Sequence, residues 1–351
     1  MTQRISVRDV AEAAGVSIGS VSRVLNGTGY ASQALRARVH AAVEALNYEP
    51  SFAARHLRTG RSKTVGYLVS NIGNPLLAAH FSEVEKHMQA AGYSMLVGNT
   101  LDQPQRDREL VALFESRRLE GIIAAPSLES ADPANSLFSG CSLPVVILDR
   151  ETPLPMDAVY LDHRSGVKQA MAYLISLGHR RIALFGPGEH IRPGREKLLG
   201  YRDGLAEAGL VFDPALVCMS RSAIDSSRTQ MATMLALSAP PTAIIGLGTR
   251  LLSGAIYVAR KAGLDIPRDL SVIGIGTPET LELMYPPLTT LRFDIERAAE
   301  AAAHLMLDRL AGEGVRQPRI VSVPLDLVLG ESCAKAAFGQ ASGIAHAPVS
   351  K

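Results

Sequence analysis

From Val65 onward, short apolar runs alternate with longer segments of helical periodicity. The runs are rich in β-branched residues, and they read VGYLVS, YSMLVGN, GIIAAP, PVVILDR, RIALFGP, TAIIGLG and LSVIGIG. Between them lie segments such as LAAHFSEVEKHMQAAG and LLSGAIYVARKAG, whose apolar residues recur with the period of a helix. This alternation predicts parallel sheets that are covered by helices on both faces.

The alternating region is longer than one such sheet usually needs, and its pattern restarts near PVVILDRETPLPMDAVYLDHRSG. We therefore expect two similar α/β halves, the first formed by residues 64–161 and 291–322, the second by residues 162–290 and 323–333. In open parallel sheets, ligands bind beyond the carboxyl ends of the strands, so we expect the ligand in the cleft between the halves. Residues 334–351 are small and polar, and we expect them to be disordered.

The beginning of the chain has a different pattern. VRDVAEAAGVSIGSVSRVLNG places apolar residues at helical spacing on both sides of AGVS. Ser6 and Ser17 can each cap a helix, and Gly15 suits the left-handed residue at which one helix ends and the next departs at a steep angle. A third helix is expected from Gln33 to Leu46. Residues 1–49 are thus predicted to form a three-helix domain with a helix-turn-helix, although an ordinary helical corner shares the local pattern.

The charge is unevenly distributed along the chain. Residues 1–63 contain nine Lys and Arg and four Asp and Glu, a net charge of +5, whereas the whole chain carries +2. A basic head on a slightly acidic body favours a polyanion such as DNA as the partner of the head. Residues 50–63 are interpreted as a hinge helix, too short to persist alone in water, followed by a linker.

Cysteine use and hydropathy exclude several classes of protein. Cys141, Cys218 and Cys333 are scattered, with no CxxC and no paired His, so three free thiols are expected instead of a disulfide or a zinc site. The sequence has no apolar run of about 18 residues and no signal-peptide pattern, so we expect a cytoplasmic protein with no membrane partner.

Enzyme motifs give no positive signal. HExxH and a P-loop lysine are absent, and GLGTRLLSG imitates a dinucleotide fingerprint with glycines at the wrong spacing. We therefore expect no catalytic residues, no metal and no cofactor, and a nicotinamide-dependent enzyme is a remote alternative. The nearer alternatives are a free-standing solute-binding protein and a DNA-binding regulator whose body senses a small molecule. The basic head favours the regulator.

The stretch TQRISVRDVAEAAGVSIGSVSRVLNG, followed by NYEPSFAARHLRTGRSKTVGYLV, resembles the head and hinge of the LacI/GalR family of bacterial transcription regulators. The similarity continues through NPLLAAHFSEVE, LGHRRIALFGP and PPLTTL, and covers residues 3–333. It implies a periplasmic-binding-protein-like body over residues 64–333 that binds an effector and dimerises. It also implies a protein that forms a dimer or a higher oligomer and binds a near-palindromic operator in the nucleoid. Such a protein is a repressor, or occasionally an activator, and it responds to a small metabolite.

The resemblance also implies which residues touch DNA. Ile18, Gly19 and Arg23 match positions that face bases in the major groove, and Arg23 suits guanine because its fork can donate to O6 and N7 together. Leu57 matches a hinge leucine that wedges between base pairs in the minor groove, and packing of this leucine on its own head is the alternative. Contacts to phosphates are expected from Ser17, Ser20, Ser22, Arg8, Arg36, Arg55 and Arg58, although each serine also suits an ordinary helix surface.

Several residues match usual effector-pocket positions in this family: Asn74, Leu77, Asp149, Lys197, Arg195, Phe293, Gly248, Thr249, Gly276 and Arg221. The arginine that typically binds the ligand falls on Lys197. Sugar-sensing members have hydroxyl-binding acids and amides where this chain has Gly248, Thr249 and Gly276, and an aromatic residue where it has Arg221.

The loss of carboxylates together with the gain of a cation favours an anionic effector, since an anion finds charge-assisted donors there. We expect a sugar acid, another organic acid or a phosphorylated metabolite, bound by Lys197 and Arg221 with help from Arg150 or Arg195. A neutral sugar is the open alternative, in which Arg221 faces solvent and the glycines only reshape the pocket.

Overall fold

The computed structural model describes residues 5–26, 30–48, 61–220, 224–276, 281, 284–312 and 317–336. The chain divides into two compact units, Met1–Ser62 and Lys63–Lys351. Four predicted site residues lie outside the described residues: Arg55, Leu57, Arg58 and Arg221. Residues 50–60 of the predicted hinge also lie outside them.

The described part of the first unit contains three helices: α1 (Val7–Ala14), α2 (Ile18–Asn26) and α3 (Gln33–Ala45). Gly15 ends α1 in the left-handed conformation, with a φ of 61°. Ser17 begins α2, because its Oγ accepts a 3.2 Å hydrogen bond from the backbone N of Ser20. One fully buried valine from each helix lies in the core: Val10, Val21 and Val39. The predicted helix-turn-helix is confirmed.

A long-range contact holds the turn between α1 and α2. Arg38 on α3 donates from Nε and Nη2 to the carbonyl O of Ala14, at 3.1 and 2.6 Å, and from Nη2 to the carbonyl O of Gly15, at 2.8 Å. A Cβ added at Gly15 would lie 2.8 Å from Arg38 Nη2. Glycine is therefore required at this position both by its positive φ and by the space that the arginine occupies.

The described part of the second unit contains eleven strands and seven helices. The strands are β1 (Thr64–Val69), β2 (Ser94–Asn99), β3 (Gly121–Ala125), β4 (Val145–Leu148), β5 (Asp157–Asp162), β6 (Ile182–Pro187), β7 (Val217–Ser220), β8 (Ala243–Gly246), β9 (Ser271–Ile275), β10 (Thr289–Phe293) and β11 (Ile320–Val328). The helices are α4 (Pro75–Ala90), α5 (Pro104–Ser116), α6 (His163–Ser176), α7 (Arg192–Glu207), α8 (Ile224–Leu235), α9 (Thr249–Lys261) and α10 (Ile295–Leu310). Within the described ranges, no helix is long and apolar enough to cross a membrane.

The strands are hydrogen-bonded in the order β2-β1-β3-β4-β5-β11-β10-β9-β8-β6-β7, and every pair is parallel except β10 with β11. Strand β11 is shared: its first part, Ile320–Pro324, pairs with β5, and its second part pairs with β10 from Leu325 onward. Pro324 lies at the change of partner, where a residue without a backbone N–H is tolerated. The sheet is thereby divided into two lobes.

The chain crosses between the lobes three times. The first lobe contains β1 to β5 and the start of β11, and the second contains β6 to β10 and the end of β11. The crossings follow Asp162, Phe293 and Pro324, whereas the sequence pattern placed them after residues 161, 290 and 322. Strand β10 belongs to the second lobe, so the middle crossing lies three residues later than expected.

Helices cover both faces of each half of the sheet, as predicted. In the first lobe, α4 and α10 pack on one face around Val84, Met88 and Ala299, which are fully buried. On the other face, α5 places Phe114 against Gly66, where an added Cβ would lie 2.6 Å from the ring. The second lobe has a comparable pair of apolar cores on its two faces. This packing fixes the carboxyl ends of the strands at the boundary between the lobes.

Residues 334–336 belong to the segment that was expected to be disordered, and they contact the second lobe. The carbonyl O of Ala334 lies 3.0 Å from Nε2 of His179, a buried residue of the second lobe. The backbone N of Ala336 donates a 2.9 Å hydrogen bond to the carbonyl O of Leu177. Both alanines are thus held to the body, and residues 337–351 lie outside the described residues.

Candidate functional site

A cavity of about 190 Å³ lies between the two lobes of the second unit. Residues that follow β1, β3 and β4 line it from the first lobe, and residues at the ends of β6, β8 and β9 line it from the second. The carboxyl ends of parallel strands are the usual place for a ligand in such sheets. The cavity is therefore the candidate effector site.

Eight of the sequence-predicted effector residues line this cavity: Asn74, Leu77, Asp149, Arg150, Lys197, Gly248, Thr249 and Phe293. Gly276 and Arg195 do not. At Gly276 the expected direction is occupied by a neighbour, because an added Cβ would lie 3.1 Å from the side chain of Leu281. Gly276 packs beside the described cavity wall, and its role in effector binding stays a prediction.

Lys197 on α7 is the most deeply placed cation of the second lobe's wall, with 6% of its surface exposed. Its Nζ donates a 3.1 Å hydrogen bond to the carbonyl O of Leu247. Burial lowers the pKa of Lys197 to about 8, even though the charge of Asp149 opposes the shift. Leu247 directly precedes Gly248, the N-cap of α9, which offers no capping side chain. The ammonium group and the positive end of a helix thus lie side by side.

Asp149 lies across the cavity from this cation, at the end of β4 in the left-handed conformation with a φ of 49°. Oδ1 accepts from the backbone N of Leu161 at 3.2 Å and from Nη1 of Arg192 at 2.8 Å. Oδ2 accepts from Nε2 of His163 at 2.7 Å. Burial alone would raise the pKa of Asp149, but His163, Arg192 and Arg150 outweigh it and hold that pKa well below its ordinary value. Asp149 is charged, and three hydrogen bonds already engage its two oxygens.

Arg150 is the second buried cation, with 6% of its surface exposed on the first lobe's wall. Its Nε donates to the carbonyl O of Pro126 at 2.8 Å, and its Nη1 donates to the carbonyl O of Asp149 at 3.0 Å. Among the described residues, its Nη2 has no hydrogen-bond partner. Burial lowers the pKa of Arg150, yet the ordinary value is high enough that the group stays charged.

Tyr67 and His80 form a neutral pair on the cavity wall that the sequence did not reveal. Tyr67 is fully buried, and its hydroxyl donates to Nδ1 of His80 at 3.0 Å. Burial lowers the pKa of His80 to about 4, so the ring is uncharged at neutral pH. The pair adds no charge to the site, and its polar atoms are already used.

Arg195 joins the lobes outside the cavity instead of lining it. Its Nη2 pairs with the carboxylates of Glu129 and Glu151, both from the first lobe. The neighbouring Arg192, besides its bond to Asp149, has its guanidinium carbon 4.3 Å from the centre of the Tyr160 ring. The expectation that Arg195 contacts the effector is corrected, because two acids that are remote in sequence engage its guanidinium.

The candidate nucleic-acid surface is the outer face of α2. Ile18, Gly19 and Arg23 are exposed there, and Ile18 has 44% of its surface accessible although it is a large apolar residue. Ser17 is also exposed, whereas Ser20 and Ser22 are half-buried. Arg8 on α1 and Arg36 on α3 are exposed cations of the same unit. The exposed isoleucine and arginine are available for contacts to base edges.

Comparison with known proteins agrees with this architecture. Residues 6–51 match the family described as bacterial regulatory proteins, lacI family, and residues 171–333 match the periplasmic binding protein-like domain. The HTH-type transcriptional regulator DegA of Bacillus subtilis (strain 168) is 31% identical over 334 residues, which cover 94% of this chain and 98% of DegA. The chain belongs to the LacI family of bacterial transcription regulators. This LacI-family regulator is a DNA-binding protein with a ligand-binding body, and its relatives are regulators and not enzymes.

Two solved structures extend the similarity to nearly the whole chain. The transcriptional regulator CelR in complex with cellobiose is 28% identical with a TM-score of 0.70, and the match covers 94% of this chain and 100% of CelR. The Lac repressor bound to ONPG in its repressed state is 25% identical with a TM-score of 0.83, covering 94% of this chain and 100% of the repressor. The free-standing solute-binding alternative is set aside, because the head has its own family match.

Proposed function

We propose that this LacI-family regulator represses transcription by binding a near-palindromic operator as a dimer, and that a small anion in the cleft controls that binding. The observation that carries the anion is the pair of buried cations, Lys197 and Arg150, on a cavity wall whose carboxylate, Asp149, already accepts three hydrogen bonds. The protein acts in the cytoplasm, on the nucleoid.

The exposed face of α2 supports direct reading of bases. Arg23 is exposed, no shielding ion pair engages it among the described residues, and a guanidinium can donate to both acceptors of guanine. Gly19 leaves room on the same helix, since an added Cβ would meet only Ser17 Oγ at 3.7 Å. Recognition then depends mostly on Arg23 and Ile18, with Arg8 and Arg36 on phosphates.

The dimer is supported by the edge of the sheet. Strand β2 is the last strand on its side, and Leu96 and Val97 on it are exposed. An edge strand with exposed apolar side chains is a surface that proteins normally cover. A twofold-symmetric dimer has two heads, one for each half of a palindrome.

An anionic ligand is supported by the free-energy cost of leaving the buried cations without a counter-charge. A buried cation without a full set of partners is unfavourable, and an anionic ligand gives it charge-assisted hydrogen bonds. Nζ of Lys197 has three N–H donors and uses one on Leu247 within the described chain. A neutral sugar needs acceptors for its hydroxyls instead, and Asp149 already accepts three hydrogen bonds.

Selection of binding sites from random DNA tests the DNA half of the proposal. We expect an enriched sequence with two inverted half-sites, and sedimentation should show one dimer bound to it. Arg23→Ala should weaken binding to that sequence by about 1–3 kcal/mol and relax the preference at one base pair in each half-site. An enriched site without inverted symmetry, or unchanged binding by Arg23→Ala, would contradict this part.

Thermal denaturation with a ligand panel tests the anion half, because a ligand that binds the native state raises Tm. The panel contains neutral sugars, sugar acids, simple carboxylates and sugar phosphates. We expect stabilisation by anions only, and its loss in Lys197→Gln. If a neutral sugar raises Tm, and raises it equally in Lys197→Gln, the proposal of an anionic effector is wrong. The assignment as a transcription regulator would not be affected.

A further inference from the structure

We infer that the ligand of this cleft is a small carboxylic acid with an apolar body, not a polyhydroxylated sugar acid. The inference deepens the proposed anionic effector and depends on it. It follows from the balance of hydrogen-bond donors and acceptors on the cavity wall and from the apolar residues that complete the wall.

Free donors lie on both sides of the cavity. Lys197 uses one of its N–H groups, and Nη2 of Arg150 has no acceptor among the described residues. Asn74 accepts from the backbone N of Leu76 at 3.1 Å through Oδ1, which leaves its amide N–H groups free. The first N–H groups of α9 follow Gly248, an N-cap without a side chain. These donors suit a ligand group that only accepts hydrogen bonds, which a carboxylate is.

Free acceptors are fewer than free donors on the same wall. Asp149 already accepts three hydrogen bonds, and Nδ1 of the buried His163 has no partner among the described residues. The hydroxyl of Ser127 donates to Oδ2 of Asp107, at 2.5 Å, and Oδ1 of Asn71 accepts from the backbone N of Gly73 at 3.0 Å. Asp102 is an exposed carboxylate at the rim and accepts from Asn71 Nδ2. A polyol places a donor on nearly every carbon, and the excess of donors on this wall leaves those hydroxyl protons with few partners.

Apolar side chains from both lobes complete the wall. Leu77 and Leu161 line it from the first lobe, and Ile191, Leu247, Ile275 and Phe293 line it from the second. A ligand between them has apolar surface on opposite sides of its body. Hydrocarbon gains free energy from that burial, whereas a sugar ring would lose water from its hydroxyls on both faces. The carboxylate therefore lies towards Lys197, with a hydrocarbon body between the leucines.

Calorimetric titration of the full-length protein with matched probes separates the possibilities. Hexanoate and gluconate both have six carbons and one carboxylate, and they differ in the hydroxyls. 1-Hexanol keeps the hydrocarbon and lacks the charge, and glucose keeps the hydroxyls and lacks the charge. We expect hexanoate to bind at least tenfold more tightly than gluconate, and the two neutral probes not to bind. From butyrate to hexanoate, affinity should rise about fourfold for each added CH₂.

Lys197→Gln should abolish hexanoate binding, and Lys197→Arg, which keeps the charge, should retain part of it. The Tm of each variant without ligand shows that it is folded. Gluconate binding more tightly than hexanoate, with the same dependence on Lys197, would overturn this inference and leave the anionic effector standing. Glucose binding that is indifferent to Lys197→Gln would overturn both. Absence of binding by every straight-chain acid from acetate to octanoate would also overturn the inference.

Discussion

Replacing Lys197 with methionine should stabilise the protein while removing its response to ligand. The two side chains have similar length, and methionine has no charge to desolvate. In the folded protein, burial lowers the pKa of Lys197 from its ordinary value of 10.5 to about 8. At about 1.4 kcal/mol per pKa unit, holding the charge in the folded state near neutral pH costs about 3 kcal/mol.

Part of this gain is offset in the variant. Loss of the hydrogen bond to Leu247 O costs about 1 kcal/mol, which leaves a net stabilisation of about 2 kcal/mol. Asp149 is not left unpaired, because Arg192 and His163 still bind it. For a body of this size, that free energy corresponds to a rise in Tm of roughly 3–4 °C.

The dependence on pH gives a second, independent signature. Between about pH 8 and pH 10.5 the unfolded wild-type chain binds more protons at Lys197 than the folded protein does, so wild-type stability rises with pH there. The advantage of Lys197→Met should therefore be fully present below pH 8 and disappear towards pH 10.5. Thermal melts of both proteins across this range measure it.

The exposed Lys168, which pairs with Glu207 on the surface, provides the matched control. Lys168→Met should leave the free energy of unfolding close to that of wild type, because this lysine is charged in water whether the protein is folded or unfolded. Two results would refute the assignment of Lys197 as a buried, incompletely partnered cation. One is a Lys197→Met variant that is less stable than wild type near neutral pH. The other is a difference in Tm between the two proteins that is the same at every pH.

Three further changes test separate parts of the structure. Gly15→Ala should destabilise the head by about 1–2 kcal/mol, because it forces a non-glycine residue to a φ of 61° and places a Cβ against Arg38. A circular-dichroism melt of the head that is unchanged from wild type would contradict the requirement for glycine at this turn. Arg36→Gln should weaken binding to selected and random DNA alike, and the slope of log affinity against log salt concentration should become shallower by about one unit. A loss of affinity confined to the selected site would contradict a phosphate contact. Arg195→Ala removes the ion pairs to Glu129 and Glu151 and should favour an open cleft. X-ray scattering without ligand should then give a larger radius of gyration than for wild type. An unchanged radius would mean that these ion pairs do not hold the lobes together.

Much of the fold follows from local pattern, and the exceptions have physical causes. The seven predicted apolar runs are all strands, and six of them are buried along nearly their whole length, since a strand buried on both faces must be continuously apolar. The seventh, β2, is apolar although it lies at the edge of the sheet and is mostly exposed. Strand β11 was not among them. IVSVPLDLV alternates buried and exposed residues, contains Pro324 and changes pairing partner midway, so no single period describes it. Strand β7, at the edge of the sheet, is only four residues long and has too little pattern to detect.

The site was less predictable, because its electrostatics depends on contacts between residues far apart in sequence. The position of Lys197 follows from resemblance, but its burial does not. Arg192 reaches Asp149 across the lobes, and Arg195 reaches Glu129 and Glu151 in the same way. Nothing in the local sequence of α7 indicates which of its cations faces the cavity. The predictions for Arg55, Leu57, Arg58 and Arg221 stay predictions.

The central claim is that an acid bound at Lys197 changes the affinity of the head for its operator. Fluorescence anisotropy of the selected operator, titrated with the full-length protein with and without saturating hexanoate, measures this coupling directly. We predict a change in operator Kd of at least about fivefold in wild type and none in Lys197→Gln, whose operator binding without acid should match wild type. An operator Kd that is the same with and without hexanoate, at concentrations where calorimetry shows the acid bound, would contradict the account.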